Sequence, residues 1–185
     1  MIRRLPFVFC FLLFLAACGS SADPSTGSVQ RLGPASPYPL ASFTENKVTV
    51  EIALEIDESG QAWLSAGFTP EEGYNLYSKD IPPGGVDGLG RPTLLELIPG
   101  SRLESAGTLS ESVGAVQDEG PDGLLVYPAG PVTLRLPVIL PEGTGWFDEQ
   151  VSVTYMACAE GVCLPPVTGK LVPVRVPGVG EVFLP

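Results

Sequence analysis

The chain has four cysteines and no histidine in its 185 residues. Two of the cysteines, Cys158 and Cys163, stand in VTYMACAEGVCLPP near the carboxyl end, with four residues between them. Three chemistries are open to such a pair. As a disulfide it clasps neighbouring strands, although so short a loop gains only about 2 kcal/mol from chain entropy. Together with Met156 the two sulfurs offer a soft ligand set suited to copper(I), whereas a structural zinc site needs four ligands that this chain body lacks. As a dithiol the pair exchanges electrons through a mixed disulfide, which requires one reachable sulfur and a second close enough to resolve it. Glu160, between the two, disfavours a nearby thiolate by like charge and raises the thiol pKa.

The elements that position the pair are strands. Alternation places Val151, Val153, Tyr155 and Ala157 on one face and Ser152, Thr154, Met156 and Cys158 on the other. Ala159-Glu160-Gly161-Val162 then allows a reversal, with Gly161 permitting the tight turn, and Leu164-Pro165-Pro166 ends regular pairing. A hairpin of this kind brings two sulfurs within bonding distance when their Cβ vectors converge. Tyr155 is expected beneath the pair or in the core.

Elsewhere the strand signal repeats. In KVTVEIALEID, Val48, Val50, Ile52, Leu54 and Ile56 alternate with polar or small residues, and QAWLSAGF follows across Glu58-Ser59-Gly60. TLLELI, GLLVY, PVTLRLPVIL, VSVTYMA and KLVPVRV are further strand candidates, divided by Pro and Gly clusters. In PVTLRLPVIL the missing donor at Pro137 predicts an edge or a bulge. SRLESAGTLSESVGAV is the one place where a turn of helix is expected. The pattern predicts an all-β, antiparallel sandwich.

At the amino end, Arg3 and Arg4 precede an apolar run from Leu5 to Ala17 that is too short to span a membrane comfortably. Leu15-Ala16-Ala17-Cys18 resembles the bacterial lipobox, so residues 1–17 are expected to leave as a signal peptide and Cys18 to carry the lipid. Cys10 leaves with the leader. Residues 18–42 are rich in Ser, Pro and Gly and read as a flexible tether, leaving 43–185 as one folded domain. Without the leader, eight basic residues face 21 acidic ones. That balance excludes a nucleic-acid surface and leaves membrane attachment to the acyl group.

The cysteine stretch resembles that of the amino-terminal extracytoplasmic domain of the thiol:disulfide interchange family DsbD. The matching positions are Tyr155, Cys158, Glu160, Gly161, Cys163, Pro165 and Pro166. GYNLYSKDIPPGGVDGLGRPTLLEL is similar to a second family segment through Gly73, Tyr74, Leu76, Tyr77, Gly88, Gly90, Pro92 and Thr93. The resemblance runs in order over residues 44 to 178. It implies an immunoglobulin-like sandwich that takes electrons from a membrane-embedded dithiol donor and passes them to oxidised extracytoplasmic thiol proteins, with no cofactor. By motif position, Cys163 would meet the partner and Cys158 would resolve the mixed disulfide. It also implies a cap over the pair between about Leu103 and Leu125. That segment contains Glu111, Asp118, Glu119 and Asp122 but no aromatic residue, so no cap residue is matched. The inter-cysteine loop is one residue shorter than in the enterobacterial form. The chain reads as this domain standing alone on a lipid anchor. The alternative is a binding or assembly lipoprotein whose disulfide is structural.

Overall fold

The alternation in KVTVEIALEID appears in the fold as a strand with every second side chain buried, and the same logic builds two facing sheets. The computed structural model describes residues 37–181; the leader, Cys18 and most of the expected tether lie outside the described residues. The strands are β1 Tyr38–Glu45, β2 Val48–Ile56, β3 Ala62–Pro70, β4 Asn75–Leu76, β5 Leu94–Leu97, β6 Glu104–Ser105, β7 Ser110–Glu111, β8 Val116–Gln117, β9 Leu125–Val126, β10 Val132–Ile139, β11 Trp146–Tyr155, β12 Ala157–Ala159, β13 Val162–Cys163 and β14 Val167–Pro177. All pairings between these strands are antiparallel.

One sheet runs β1-β2-β3-β10, with β6 and β7 both on the far side of β10; the other runs β14-β11-β5. Between them lie Val50, Ile52 and Leu54 from β2, Leu64 and Phe68 from β3, Leu134 and Leu136 from β10, Leu95 from β5, Val151, Val153 and Tyr155 from β11, and Val172 and Val174 from β14. This is the all-β, immunoglobulin-like antiparallel sandwich, with its core made from alternate residues of both sheets.

Pro137 sits inside β10, where its carbonyl accepts from Ala106 N at 2.8 Å on the β6/β7 side. A strand residue points its N and its C=O to the same side, so the missing donor falls in the gap between β6 and β7. The 101–116 segment forms these two short strands rather than the expected helical turn. Its Ser- and Gly-rich sequence has weak helical propensity, and β10 supplies an open edge for it. The first strand begins at Tyr38, inside the segment read as tether. A register shift between Pro39 and Ala41 breaks the alternation that would have marked it.

Candidate functional site

The site begins where β11 runs out of the sandwich. Val151, Val153, Tyr155 and Ala157 are fully buried in the main core, on one parity. Met156 and Cys158, on the other, pack against a smaller cluster of Tyr77, Ile81 and Leu124. Tyr155 therefore does not lie beneath the sulfurs. Its ring meets Phe68 edge-on at 5.8 Å, and its hydroxyl donates to Glu45 O at 2.9 Å. Burial, then the charge of Glu45, pushes this hydroxyl's pKa well above the ordinary value, so it stays a donor.

Cys158 and Cys163 are directly opposed in the β12/β13 ladder, with Cα atoms 4.0 Å apart and the sulfurs joined as a disulfide. The turn between them has two central residues, Glu160 at φ 45° and Gly161 at φ 78°. Two successive positive φ values define the mirror-image turn whose twist matches a hairpin, for which glycine is the natural second residue. A Cβ on Gly161 would meet nothing within 4 Å, so this glycine is required by backbone conformation alone. Glu160 occupies the left-handed region without that freedom. Beyond Cys163, Leu164 N returns to Ala157 O at 2.9 Å, and Asn46 Nδ2 donates to Pro165 O at 2.7 Å. Pro165 and Pro166 are exposed and end the strand.

The other side of β12 pairs with β4, which places Asn75 opposite Cys158 and Leu76 opposite Ala157. The next residue, Tyr77, carries its hydroxyl to 3.8 Å from Cys163 Sγ. Its backbone is fixed by Thr93, whose Oγ1 donates to Tyr77 O at 2.7 Å, and by bridges to Pro92 and Val126. Its ring lies against Gly90: a Cβ there would come within 2.9 Å of Tyr77 Cδ1 and 3.1 Å of Ile81 Cδ1. Gly90 thus leaves room for the aromatic ring. Arg91 Nη1 donates to the carbonyls of Gly84, Gly88 and Gly90, holding the glycine-rich loop closed. Burial, and secondarily the Asp118 carboxylate, raises the Tyr77 pKa, so the hydroxyl keeps its proton and is the one group of the two able to donate, since the bridged sulfur carries no hydrogen.

Around the disulfide is a cavity of about 420 Å³, lined among others by Asn75, Tyr77, Leu89, Leu124, Cys158 and Cys163. Its wall also includes Asp118, Glu119 and Gly120 from the β8–β9 loop. Gln117 braces that loop, its Nε2 donating to Asp118 O and Pro121 O and its Oε1 accepting from Gly123 N. Of the segment expected to cap the pair, this loop alone borders the cavity; Glu111 instead accepts from the buried Tyr127 hydroxyl at 2.6 Å. Gly120 has no side chain to lay over the sulfurs, and a Cβ there would press Leu124 Cδ2 at 2.7 Å. Cys163 is exposed, whereas Cys158 is half-buried.

Asn75, Leu89 and Leu124 had no assigned place in the sequence, and Tyr77 appeared only within the GYNLY stretch. These residues lie far from the cysteines along the chain: the β4/β12 register brings in Asn75 and Tyr77, the glycine-rich loop Leu89, and the β8–β9 loop Leu124. Among the described residues no cluster of three or more Cys, Asp or Glu forms a metal cage.

Searching for relatives among curated proteins gave no match. A solved structure, the amino-terminal domain of DsbD from Neisseria meningitidis in its reduced form, is similar at 22% identity, covering 71% of this chain and 84% of that one with a TM-score of 0.43. The family model described as "Thiol:disulfide interchange protein DsbD, N-terminal" matches residues 43–174. That match takes in both sheets, the Tyr77 segment and the cysteine hairpin, and the chain belongs to the family of DsbD amino-terminal domains.

Proposed function

We propose that this domain exchanges thiols and disulfides outside the cytoplasm, relaying reducing equivalents from a membrane dithiol donor to oxidised proteins through Cys158 and Cys163. The observation that carries this reading is a disulfide closed across a tight hairpin, with its Cys163 side exposed at the mouth of a cavity. A purely structural clasp is poorly served here. The bridge joins residues already paired in a ladder, and its Cys158 packs on the small satellite cluster rather than the sandwich core.

The relay balances in two exchanges. A donor thiolate attacks Cys163 Sγ and expels Cys158 as thiolate; the donor's second thiolate then attacks the mixed disulfide, leaving the donor oxidised and this pair reduced by two electrons. In the forward half, the Cys163 thiolate attacks an acceptor disulfide and releases one acceptor thiolate. Cys158 then attacks Cys163, reforming the bridge and releasing the second acceptor thiolate. Tyr77 assists by donating a hydrogen bond to Cys163 when it carries charge. Gly161 sets the turn, and Pro165 and Pro166 end the strand behind the reacting sulfur. Lipidation at Cys18, with residues 18 onward as tether, would hold the domain at a membrane surface near its donor.

The test is trapping. A Cys158→Ala variant, unable to resolve, should accumulate mixed disulfides through Cys163, and Cys163→Ala should accumulate none. A Cys158–Cys163 bridge that a glutathione-level poise cannot reduce, with no mixed disulfide captured through Cys163, would sink the exchange reading.

A further inference from the structure

The two legs of the cysteine hairpin are gripped by a turn from the first strand pair. Between β1 and β2, Asn46 at φ 47° and Lys47 at φ 65° are the central residues of a reversal flanked by the pair Glu45 and Val48. Two successive positive φ values make it the mirror-image turn that suits a hairpin. The turn is itself fixed at both ends: Glu45 O accepts from the buried Tyr155 hydroxyl at 2.9 Å, and Lys47 O accepts from Glu71 N at 2.8 Å. From this fixed point Asn46 Nδ2 donates to Pro165 O at 2.7 Å, across 119 positions of sequence. One turn thus holds the leg entering the hairpin at Tyr155, ahead of Cys158, and the leg leaving it at Pro165, just past Cys163.

The leaving leg has few other holds. β13 is a two-residue strand at the end of its sheet, and beyond it Pro165 and Pro166 have no N–H with which to extend a ladder. Leu164 gives one backbone bond to Ala157 O and packs its side chain against the main core. The Pro165 carbonyl is the next polar group along the leg, and Asn46 is its partner. The chemistry at position 46 is narrow. Glycine accepts the left-handed backbone but carries no donor, and aspartate tolerates it but only accepts when ionised; asparagine meets both demands.

We infer that Asn46 is a positioning residue for the exchange reaction, holding the strand of Cys163 within reach of Cys158 while the bridge is open. This deepens the exchange reading and rests on it. In a mixed disulfide with a partner, Cys158 and Cys163 are not bonded to each other, and the Asn46–Pro165 bond adds to the short β12/β13 ladder in keeping their strands opposed. In the resolving step the Cys158 thiolate attacks Cys163 Sγ, the bond from Cys163 to the partner sulfur breaks, and the partner leaves as thiolate. The effective concentration of Cys158 at Cys163 therefore sets both the rate of this step and the equilibrium for closing the bridge.

The test uses the full chain with Asn46→Gly, which keeps the turn and removes the amide. Lys47→Gly is the control: it alters the same turn but takes away a side chain paired with Glu71. Each protein is equilibrated in dithiothreitol redox buffers and its free thiols are counted after alkylation. Asn46→Gly should lower the equilibrium constant for closing the bridge about fivefold, the worth of one hydrogen bond, which makes the reduction potential ~20 mV less negative. Lys47→Gly should leave it unchanged. Reduced proteins are then mixed with hydroxyethyl disulfide, quenched with acid and mapped by mass. The adduct at Cys163 should form at the wild-type rate in Asn46→Gly but persist about fivefold longer. A bond that is only structural would lower the melting temperature of the oxidised and reduced forms alike and leave potential and adduct lifetime as in wild type. That outcome in either measurement, or equal shifts in Asn46→Gly and Lys47→Gly, overturns the positioning role while leaving exchange standing. If reduced Cys158→Ala forms no adduct at Cys163 with the same reagent, the exchange reading falls and the positioning role with it.

Discussion

Replacing Gly161 by Ala tests whether the turn, and not only the sulfurs, sets the redox balance. Gly161 holds φ 78° with open space around its Cβ direction, so the substitution adds backbone strain and no clash. An L-residue in the left-handed region costs about 1–2 kcal/mol. In the oxidised domain the bridge holds Cys158 and Cys163 at 4.0 Å and the turn must bear that strain. In the reduced domain β13 is held to β12 by a ladder of two residue pairs and one further bond, so it can yield. The dithiol is then favoured, and the reduction potential should become less negative by up to about 20–40 mV. The oxidised protein should also melt roughly 3–6 °C lower. Glu160→Asp keeps the charge but puts a residue more tolerant of the left-handed region at φ 45°, so its potential should move slightly the other way. The assay equilibrates each variant in dithiothreitol redox buffers, quenches by alkylation and counts free thiols. An unchanged or more negative potential for Gly161→Ala, or the same direction of shift for both variants, would refute the coupling of turn strain to the bridge.

Two other consequences can be read with simple chemistry. Tyr77→Phe keeps the ring that Gly90 accommodates but removes the hydroxyl 3.8 Å from Cys163 Sγ. With Cys158→Ala as background, the apparent thiol pKa of Cys163 should rise by up to about 1 unit, since a hydrogen bond to a charged group is worth about 1.5 kcal/mol; iodoacetamide kinetics against pH reads this, and an unchanged or lower pKa removes Tyr77 from the site. At the opposite turn, the Asp57 carboxylate accepts from Ser59 Oγ, Trp63 Nε1 and the Ser59 and Gln61 amides, which hold its pKa at about 2. A depressed carboxylate pKa means stability present above the unfolded value and lost as pH falls through the folded one. The stability difference between wild type and Asp57→Asn should therefore be steady near neutrality and close as pH drops from about 4 toward 2; denaturant titrations followed by Trp fluorescence check it, and a difference constant down to pH 2 contradicts it.

Much of the sandwich was legible because its strands bury one face each. The alternation of Val48 to Ile56 survives intact as burial, and that of Val132 to Leu140 survives except at Pro137, which is buried as well. The break in parity between Tyr155 and Cys158, one in the main core and the other over the satellite cluster, was also written in the sequence. What failed was local and weakly patterned. The bulge at Pro39 hid the first strand, and residues 101–116 became strands only because β10 had an edge to fill.

By itself, then, the chain's sequence determined an all-β body, a reversal at Glu160-Gly161 and a pair of cysteines on the strands flanking it, because period-two burial and turn chemistry act between near neighbours. Only the tertiary structure decided what surrounds those sulfurs. Tyr77 reaches Cys163 through the register of a two-residue strand, Asp118 to Gly120 reach the cavity through a braced loop, and the exposed side of the bridge belongs to Cys163. Such contacts join residues scores of positions apart. Their placement depends on sheet order and packing, which no spacing along the chain encodes.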